Sequence, residues 1–152
     1  VGFSKKYASD LYDVREMLEC QAVEITIRDP LPDYRPLLEV LDLINRYVIS
    51  GENTSAQIYS DLDIQFHRAI LRMAHNIPLM QSWETTSSVM LTLLNLNRSE
   101  DYNPRYVNEL YMKHKQIIDS VITKDPKVLD ILHTHIVDAK EITLNLLEKL
   151  WD

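Results

Sequence analysis

The chain has 152 residues, of which 45% are hydrophobic and 26% charged, values typical of a single folded domain with its own core. Its net charge of −7 makes it a poor partner for nucleic acid, because phosphate binding depends mainly on lysine and arginine. Glycine occurs only at Gly2 and Gly51, which argues against a turn-rich β fold and against glycine-rich loops that bind nucleotide phosphates.

The number of cysteines and the length of the apolar runs bear on the cellular compartment. Cys20 is the single cysteine and cannot form an internal disulfide, so we expect a cytoplasmic protein. No apolar run approaches the roughly 18 residues of a membrane span. The opening sequence VGFSKK is typical of a cut or linker end, and we interpret residues 1–8 as a linker remnant before a domain at 9–152.

Six helical segments follow one another, each bounded by a cap residue, a proline or a glycine. The predicted bounds are 9–28, 33–50, 54–75, 78–98, 103–124 and 125–150. Thr54 and Gln57 fit a capping box, and Asn103 and Asp125 each precede a proline at a predicted helix start. Because the linkers are short, we predict an all-α fold, a single antiparallel bundle of about six helices with an internal ligand cavity.

The apolar stripes of these helices predict which faces point inward. On the first helix the stripe consists of Leu11, Val14, Leu18, Ala22 and Ile25, and on the second of Leu37, Leu38, Leu41, Ile44 and Val48.

Four polar residues occupy or adjoin inward positions on three predicted helices. Asp63 and His67 are four residues apart and therefore share one helix face. His114 lies within the stripe of the fifth helix and His135 within that of the sixth. Periodicity favours His135 over His133, which must point elsewhere. Taken singly, each inward histidine is more often a core residue satisfied by a neighbour.

The presence of four such residues together favours a metal site over separate core histidines. A buried carboxylate is costly unless it is paired or binds a metal, and here three imidazoles could converge with it. Nitrogen and carboxylate ligands suit zinc best in our interpretation, with nickel, iron or manganese as alternatives. The sequence therefore predicts a divalent metal site formed by Asp63, His67, His114 and His135.

Several segments resemble the effector-binding C-terminal (FCD) domain of GntR-type bacterial transcription regulators, FadR branch. They are LYDVREMLE near the start, DIQFHRAILRMAHNIPL in the middle, and later MKHKQIIDSVITKD and LHTHI. The resemblance covers about residues 10–147. Matching positions include Arg15, Glu19, Asn76 and the four ligand candidates, whereas Ile77 lengthens the family's usual Asn-Pro step by one residue.

This resemblance implies a ligand-sensing regulatory domain rather than an enzyme. In metal-binding members, an aspartate and three histidines hold a divalent ion at the floor of a cavity, and a small carboxylate or sugar acid reaches it. The family also implies a homodimer, with DNA bound through an N-terminal winged helix domain that this chain does not resemble. We therefore expect effector binding to modulate DNA binding by that separate domain.

A carboxylate effector in an apolar bundle needs compensating positive charge and polar partners. Arg15 is one candidate, with a surface ion pair to Glu19 as the equally weighted alternative. Arg98 is a weaker candidate at the end of the fourth helix. Asn95 and the hydroxyl residues 85–88 of that helix could line a cavity or form a solvated face.

Two other classes of function remain open. A three-histidine site with an open coordination position could activate water, so a metal-dependent hydrolase is the main alternative. Glu19 or Glu84 could act as its general base, but neither has a position that favours this role. The third interpretation is a structural bundle with satisfied core histidines.

Overall fold

The computed structural model describes the backbone of residues 4–51, 54–98, 103 and 105–151, and it is helical almost throughout. The helices are α1 (Lys5–Arg28), α2 (Arg35–Ser50), α3 (Ala56–Met73), α4 (Ile77–Arg98), α5 (Tyr106–Ile122) and α6 (Val128–Trp151). Within these ranges no strand occurs, which confirms the all-α fold. None of the described helices combines the length and apolar character that crossing a membrane requires.

Local caps explain where the helices begin. The hydroxyl of Ser4 accepts a hydrogen bond from the backbone N–H of Tyr7 at 3.0 Å, so α1 begins four residues before the predicted start. The cap of α3 is Ser55, whose hydroxyl accepts from Ile58, and the predicted capping box was wrong. The side chain of Gln57 instead bonds to Asp61 on the outer face of α3.

The last two helices begin later than the sequence predicted. The backbone N–H of Val128 bonds to the carbonyl of Asp125, three residues back, so a tight turn precedes α6. The side chain of Asp125 also accepts a hydrogen bond from the backbone N–H of Lys127. Before α5, the side chain of Asn103 accepts one from the backbone N–H of Arg105 in the same way. The acceptor residue therefore closes a turn ahead of each helix, and the helix itself starts three residues farther on.

α3 is the central helix and packs against α1, α2, α4 and α5. Its buried residues lie around most of its circumference, which is typical of a helix inside a bundle rather than on its surface. They include polar as well as apolar side chains, namely Tyr59, Ser60, Leu62, Asp63, Ile64, Phe66, His67, Ala69, Ile70, Leu71 and Met73.

The buried face of α1 differs from its predicted apolar stripe. Val14 is 42% exposed, whereas Arg15 and Glu19 are buried at 2% and 0% exposure. The ion pair between these two residues, which the sequence offered as a surface alternative to effector binding by Arg15, is therefore formed in the interior. Hydrophobic periodicity could not indicate this, because the energetic cost of burying the charges is offset by partners on other helices.

On α2 the prediction was wrong at one position, since Leu38 is 48% exposed and Val40 is buried in its place. The stripe of α5 is confirmed, with His114 buried among apolar residues. α1 and α6 lie against each other, and the hydroxyl groups of Tyr12 and Thr143 form a buried hydrogen bond of 2.7 Å between them. The enclosed ligand cavity stays a prediction.

Candidate metal centre

Three helices bring the four predicted metal ligands together. Asp63 and His67 extend from neighbouring turns of α3, His114 comes from α5, and His135 from α6. One ligand atom from each lies within 4.8 Å of the corresponding atom of every other. Asp63, His67 and His114 are buried, and His135 is half-buried at the edge. The sequence pattern placed each residue on an inward or shared face, and the helix packing brings those faces to one point.

The Nε2 atoms of the three imidazoles point toward the common centre. Oδ1 of Asp63 lies 3.0 Å from Nε2 of His114 and 3.4 Å from Nε2 of His67. Nε2 of His67 lies 3.3 Å from Nε2 of His135, and two neutral imidazoles in this position can share only one proton. The arrangement therefore gathers several lone pairs around a small volume.

His114 gives the clearest sign that the site suits a cation. Neither of its buried ring nitrogens makes a well-aligned hydrogen bond to any of the described residues. Leaving a buried polar atom unsatisfied costs about 1–3 kcal/mol, so such atoms call for a partner of another kind. A divalent ion that accepts imidazole nitrogen and carboxylate oxygen would supply one for Nε2, the nitrogen that faces Asp63.

The protonation states also suit metal binding. Burial lowers the pKa of His114 to about 4 despite the nearby Asp63. Burial and the neighbouring His67 and His114 hold the pKa of His135 well below its usual range. Burial opposes ionisation of Asp63, but His114 and His67 hold its pKa well below the usual range. Near neutral pH, two imidazoles are therefore neutral and the carboxyl is ionised, as a metal requires.

His67 differs from the other two histidines because it contacts an additional carboxylate. Its Nδ1 contacts Oε1 of the fully buried Glu19, and Oε2 of Glu19 accepts a hydrogen bond of 2.7 Å from Nε of Arg15. Burial and Arg15 oppose protonation of His67, but Glu19 and Asp63 outweigh them and raise its pKa. From the sequence, Glu19 was a possible partner of Arg15 or a possible general base, and its contact with His67 was not predicted. Its position four residues after Arg15 was the available signal, but this spacing indicated only an ion pair.

The ring of Phe66 fixes the plane of His114. The two rings stack with centroids 3.7 Å apart and an interplanar angle of 7°. Because Phe66 is fully buried and adjacent to His67 on α3, its ring is held in place by the core. One aromatic residue therefore aligns a ligand from α5 against two ligands from α3.

The remaining histidines lie away from this cluster. His133 is on the outer side of α6, where its Nδ1 contacts Glu16 of α1. His75 follows α3 and is exposed, and its Nε2 lies 3.8 Å from Oδ2 of Asp33. The structure thus brings His135, and not His133, to the other three ligand candidates.

The three effector-binding candidates have different positions. Arg15 is buried and is linked to the cluster through Glu19, while one of its terminal nitrogens lies 3.9 Å from the sulfur of Met90. Asn95 is half-buried, and its side-chain oxygen has no hydrogen-bond partner among the described residues. Arg98 ends α4, and its side chain lies outside the described residues.

The other polar groups proposed from the sequence form local contacts. Hydroxyls of α4 donate back to carbonyls of their own helix, from Thr85 to Gln81 and from Ser87 to Glu84. Glu84 pairs with Arg68 at 2.7 Å. Glu19 contacts the Nδ1 side of His67, away from the Nε2 atoms at the centre. Neither glutamate is therefore placed as a general base for a metal-bound water.

A pocket of about 440 Å³ opens to solvent beside the cluster, a size typical of small-molecule sites. Asp63 and His135 line it, so the pocket gives access to the ligand set. Its other polar lining residues are Tyr59, Lys113, Gln116, Lys127, Asp130, Thr134 and Asp138.

Comparison with known proteins identifies the domain type. The family model described as the FCD domain matches residues 10–138. The chain belongs to the FCD domain family. The resemblance found in the sequence is therefore confirmed over most of its length.

The relatives of this FCD domain are transcriptional regulators. It is 24% identical to the gluconate operon transcriptional repressor of Bacillus subtilis (strain 168), in an alignment that covers 99% of this chain and 61% of that protein. It is 33% identical over 90 residues to the probable HTH-type transcriptional regulator LgoR of Escherichia coli (strain K12), which covers 57% of this chain and 29% of that protein.

A solved structure supports the fold. A GntR-family transcriptional regulator from Pseudomonas syringae pv. tomato str. DC3000 superposes with a TM-score of 0.71 at 20% identity, covering 99% of this chain and 60% of the other. This chain thus spans about three fifths of the length of the Bacillus subtilis repressor and of the Pseudomonas syringae regulator, to both of which it aligns almost completely.

Proposed function

We propose that this chain is the ligand-sensing part of a GntR-family transcription regulator. In this proposal, a divalent metal is held by Asp63, His67, His114 and His135, and a small carboxylate effector binds beside it. The buried Nε2 of His114, which has no well-aligned hydrogen bond and faces three other potential ligands, is the observation that carries the metal assignment. When bound, the metal would supply positive charge at the inner end of the pocket.

Zinc is the metal we favour, with nickel, iron or manganese as alternatives. Three imidazole nitrogens and one carboxylate oxygen suit all four ions better than magnesium or calcium, which prefer oxygen ligands. With four protein ligands, an ion that accepts five or six can still take an effector or water.

The effector we propose is a small carboxylate, with a sugar acid as the first class to try. The open pocket reaches Asp63 and His135, and it carries lysine, hydroxyl and amide groups suited to a polar acid. Arg15, Asn95 and Arg98 stay candidate effector-binding residues, although the first two are not among the residues that line this pocket. One relative of this chain is named for the gluconate operon, which makes gluconate a sensible first probe.

We further propose that the domain acts as a cytoplasmic homodimer and modulates DNA binding by a winged helix domain outside this chain. An acidic chain of net charge −7 is unsuited to contact DNA itself. The effector would shift the equilibrium between two dimer arrangements only to the extent that it binds one more tightly.

The deciding experiment is elemental mass spectrometry of the purified chain. We expect near-stoichiometric metal in the wild type and none in Asp63→Ala/His135→Ala. Glu16→Ala/His133→Ala, which likewise removes one carboxylate and one histidine but from a surface contact between α1 and α6, is the matched control and should retain the metal. Absence of metal from the wild type, even after incubation with zinc, nickel or manganese, would refute the metal proposal.

Thermal shift with gluconate and other small carboxylates then tests the sensor proposal on the metal-loaded protein. A raised melting temperature that requires both metal and acid supports it. Steady turnover of esters or lactones by the metal-loaded protein would instead favour the hydrolase alternative, which at present lacks a placed general base.

A further inference from the structure

The inner contact of His67 has a consequence for how the metal site is held. His67 is 1% exposed and Glu19 0% exposed, and they meet through Nδ1 of the imidazole and Oε1 of the carboxylate. All other ligand atoms of the centre gather on the opposite, Nε2 side of this ring. Glu19 therefore faces the centre only through His67.

This contact selects one state of the imidazole. A neutral imidazole carries its proton on either Nδ1 or Nε2, and a carboxylate can only accept a hydrogen bond. Two carboxylates flank the ring, but Glu19 is in close contact with Nδ1 whereas Oδ1 of Asp63 lies 3.4 Å from Nε2. The closer contact favours the proton on Nδ1 of the neutral ring and leaves the lone pair of Nε2 free for a cation. The same hydrogen bond limits rotation of the ring and raises its basicity.

Arg15 in turn holds Glu19. A buried carboxylate would be costly without a counter-charge, and Nε of Arg15 donates to Oε2 of Glu19 at 2.7 Å. The guanidinium also lies over the ring of Tyr12, with its carbon 5.6 Å from the ring centroid. Arg15 is thus fixed from two sides, and Glu19 has little freedom to turn away from His67.

We propose that Glu19 is a positioning residue that sets the tautomer and orientation of His67, and that Arg15 anchors it. The effect on metal affinity rests on the proposed function, whereas the effect on the tautomer does not. Glu19 contacts no reacting or binding atom itself and acts through His67. In this way two residues of α1 support the proposed ligand set without being ligands themselves.

The test compares zinc affinity, measured by competition with a chelator, in the wild type and three variants. Glu19→Ala should weaken zinc binding by about 10–100-fold, the usual cost of losing such an outer partner. Glu19→Gln should weaken it less, because the amide carbonyl can still accept from Nδ1–H. Glu16→Ala is the matched control, since Glu16 also lies on α1 and contacts Nδ1 of a histidine, but at the surface. Its zinc affinity should equal that of the wild type.

Nitrogen NMR of the histidine rings, at a pH where His67 is neutral, gives a readout that general loss of packing would not produce. We expect the Nδ1–H tautomer in the wild type with and without zinc, and a mixture in Glu19→Ala. Wild-type zinc affinity in a folded Glu19→Ala protein, or an Nε2–H tautomer in the wild type, would overturn the proposal. If the alanine variant does not fold, Glu19→Gln decides, and unchanged affinity there would also count against it.

The two proposals fail in distinguishable ways. A wild-type protein that takes up none of zinc, nickel and manganese refutes the metal site. The tautomer of His67 in the metal-free protein and its loss in Glu19→Ala would still decide whether Glu19 positions the ring.

Discussion

Two glutamates of α1 each contact Nδ1 of a histidine, and only one of the pairs is inside the protein. Glu19 and His67 are 0% and 1% exposed, whereas Glu16 and His133 are 25% and 57% exposed. The residue types, the ring atom and the starting helix are the same. What differs is the number of further groups that converge, because Arg15, Asp63, His114 and His135 surround only the inner pair.

The comparison teaches that the chemistry of a carboxylate–histidine pair depends on where it lies. At the surface, water solvates both partners and competes for their hydrogen bonds, so such a pair contributes little. In the interior the same contact determines protonation, orientation and charge, since an unsatisfied partner cannot turn to water. The predictions below test this difference, from the largest expected effect to the smallest.

Removing the buried arginine should have the largest effect. Arg15→Met leaves Glu19 without its counter-charge, and breaking a buried pair in this way typically costs about 3–5 kcal/mol of unfolding free energy. Arg46→Met is the matched control, since Arg46 pairs with Asp42 at the same spacing of four residues but at 73% exposure. Urea denaturation of both variants measures the difference. Similar unfolding free energies of the two variants would show that the buried ion pair contributes no more to stability than the exposed one.

Removing a predicted ligand should come next. His114→Ala should weaken zinc binding by more than about 100-fold, because it deletes a ligand and not merely the outer partner of one. His133→Ala should leave the affinity unchanged, as its imidazole lies outside the cluster. Chelator competition measures both. Equal affinities in the two variants would remove His114 from the site.

The pH dependence of zinc affinity should separate His67 from the other ligands. His67 has a raised pKa, that of His114 is about 4, and that of His135 is well below its usual range. Zinc must displace a proton from His67 as the pH falls below the pKa of that ring, while the other two imidazoles are already neutral. We therefore expect affinity to fall about tenfold per pH unit there, with one proton released per ion.

Calorimetry in buffers of different ionisation enthalpy counts these protons. His133→Ala is the control and should show the same slope, although contact with Glu16 raises the pKa of His133 as well. An affinity that is flat with pH between neutral and acidic conditions would mean that His67 is already neutral in the metal-free protein.

The smallest effect should come from the surface pair itself. Glu16→Ala/His133→Ala should melt at nearly the wild-type temperature, because both side chains are solvated. Circular dichroism during heating measures this. A large destabilisation would show that the contact between α1 and α6 depends on this pair, and would end the contrast between the two regions.

Much of the fold could be predicted from local patterns. Cap residues, prolines and Gly51 marked the boundaries of six helices, since these residues act on the backbone within a few positions along the chain. The starts of α5 and α6 were displaced because Asn103 and Asp125 close turns before the helices begin. The inward position of His114 followed from the apolar stripe of α5, in which it is one of the buried residues.

The inner contacts could not be predicted in this way. Hydrophobic periodicity treats every charged residue as outward-facing. It therefore assigned Val14 to the buried face of α1 and did not predict that Arg15 and Glu19 are buried. The pairing of Glu19 with His67 spans 48 positions in the sequence and depends on how α1 crosses α3. The stacking of Phe66 on His114 likewise joins two helices that only the packing brings together.

The sequence by itself determined the helices, the FCD family and the four residues that could meet at one centre, because periodicity and motif are properties of the chain. The tertiary structure alone decided that Glu19 faces His67 while Glu16 faces His133. The two glutamates lie three residues apart on one helix, and the difference between them arises from the angle at which neighbouring helices pack. That angle determines which carboxylate is surrounded by charge partners and which by water.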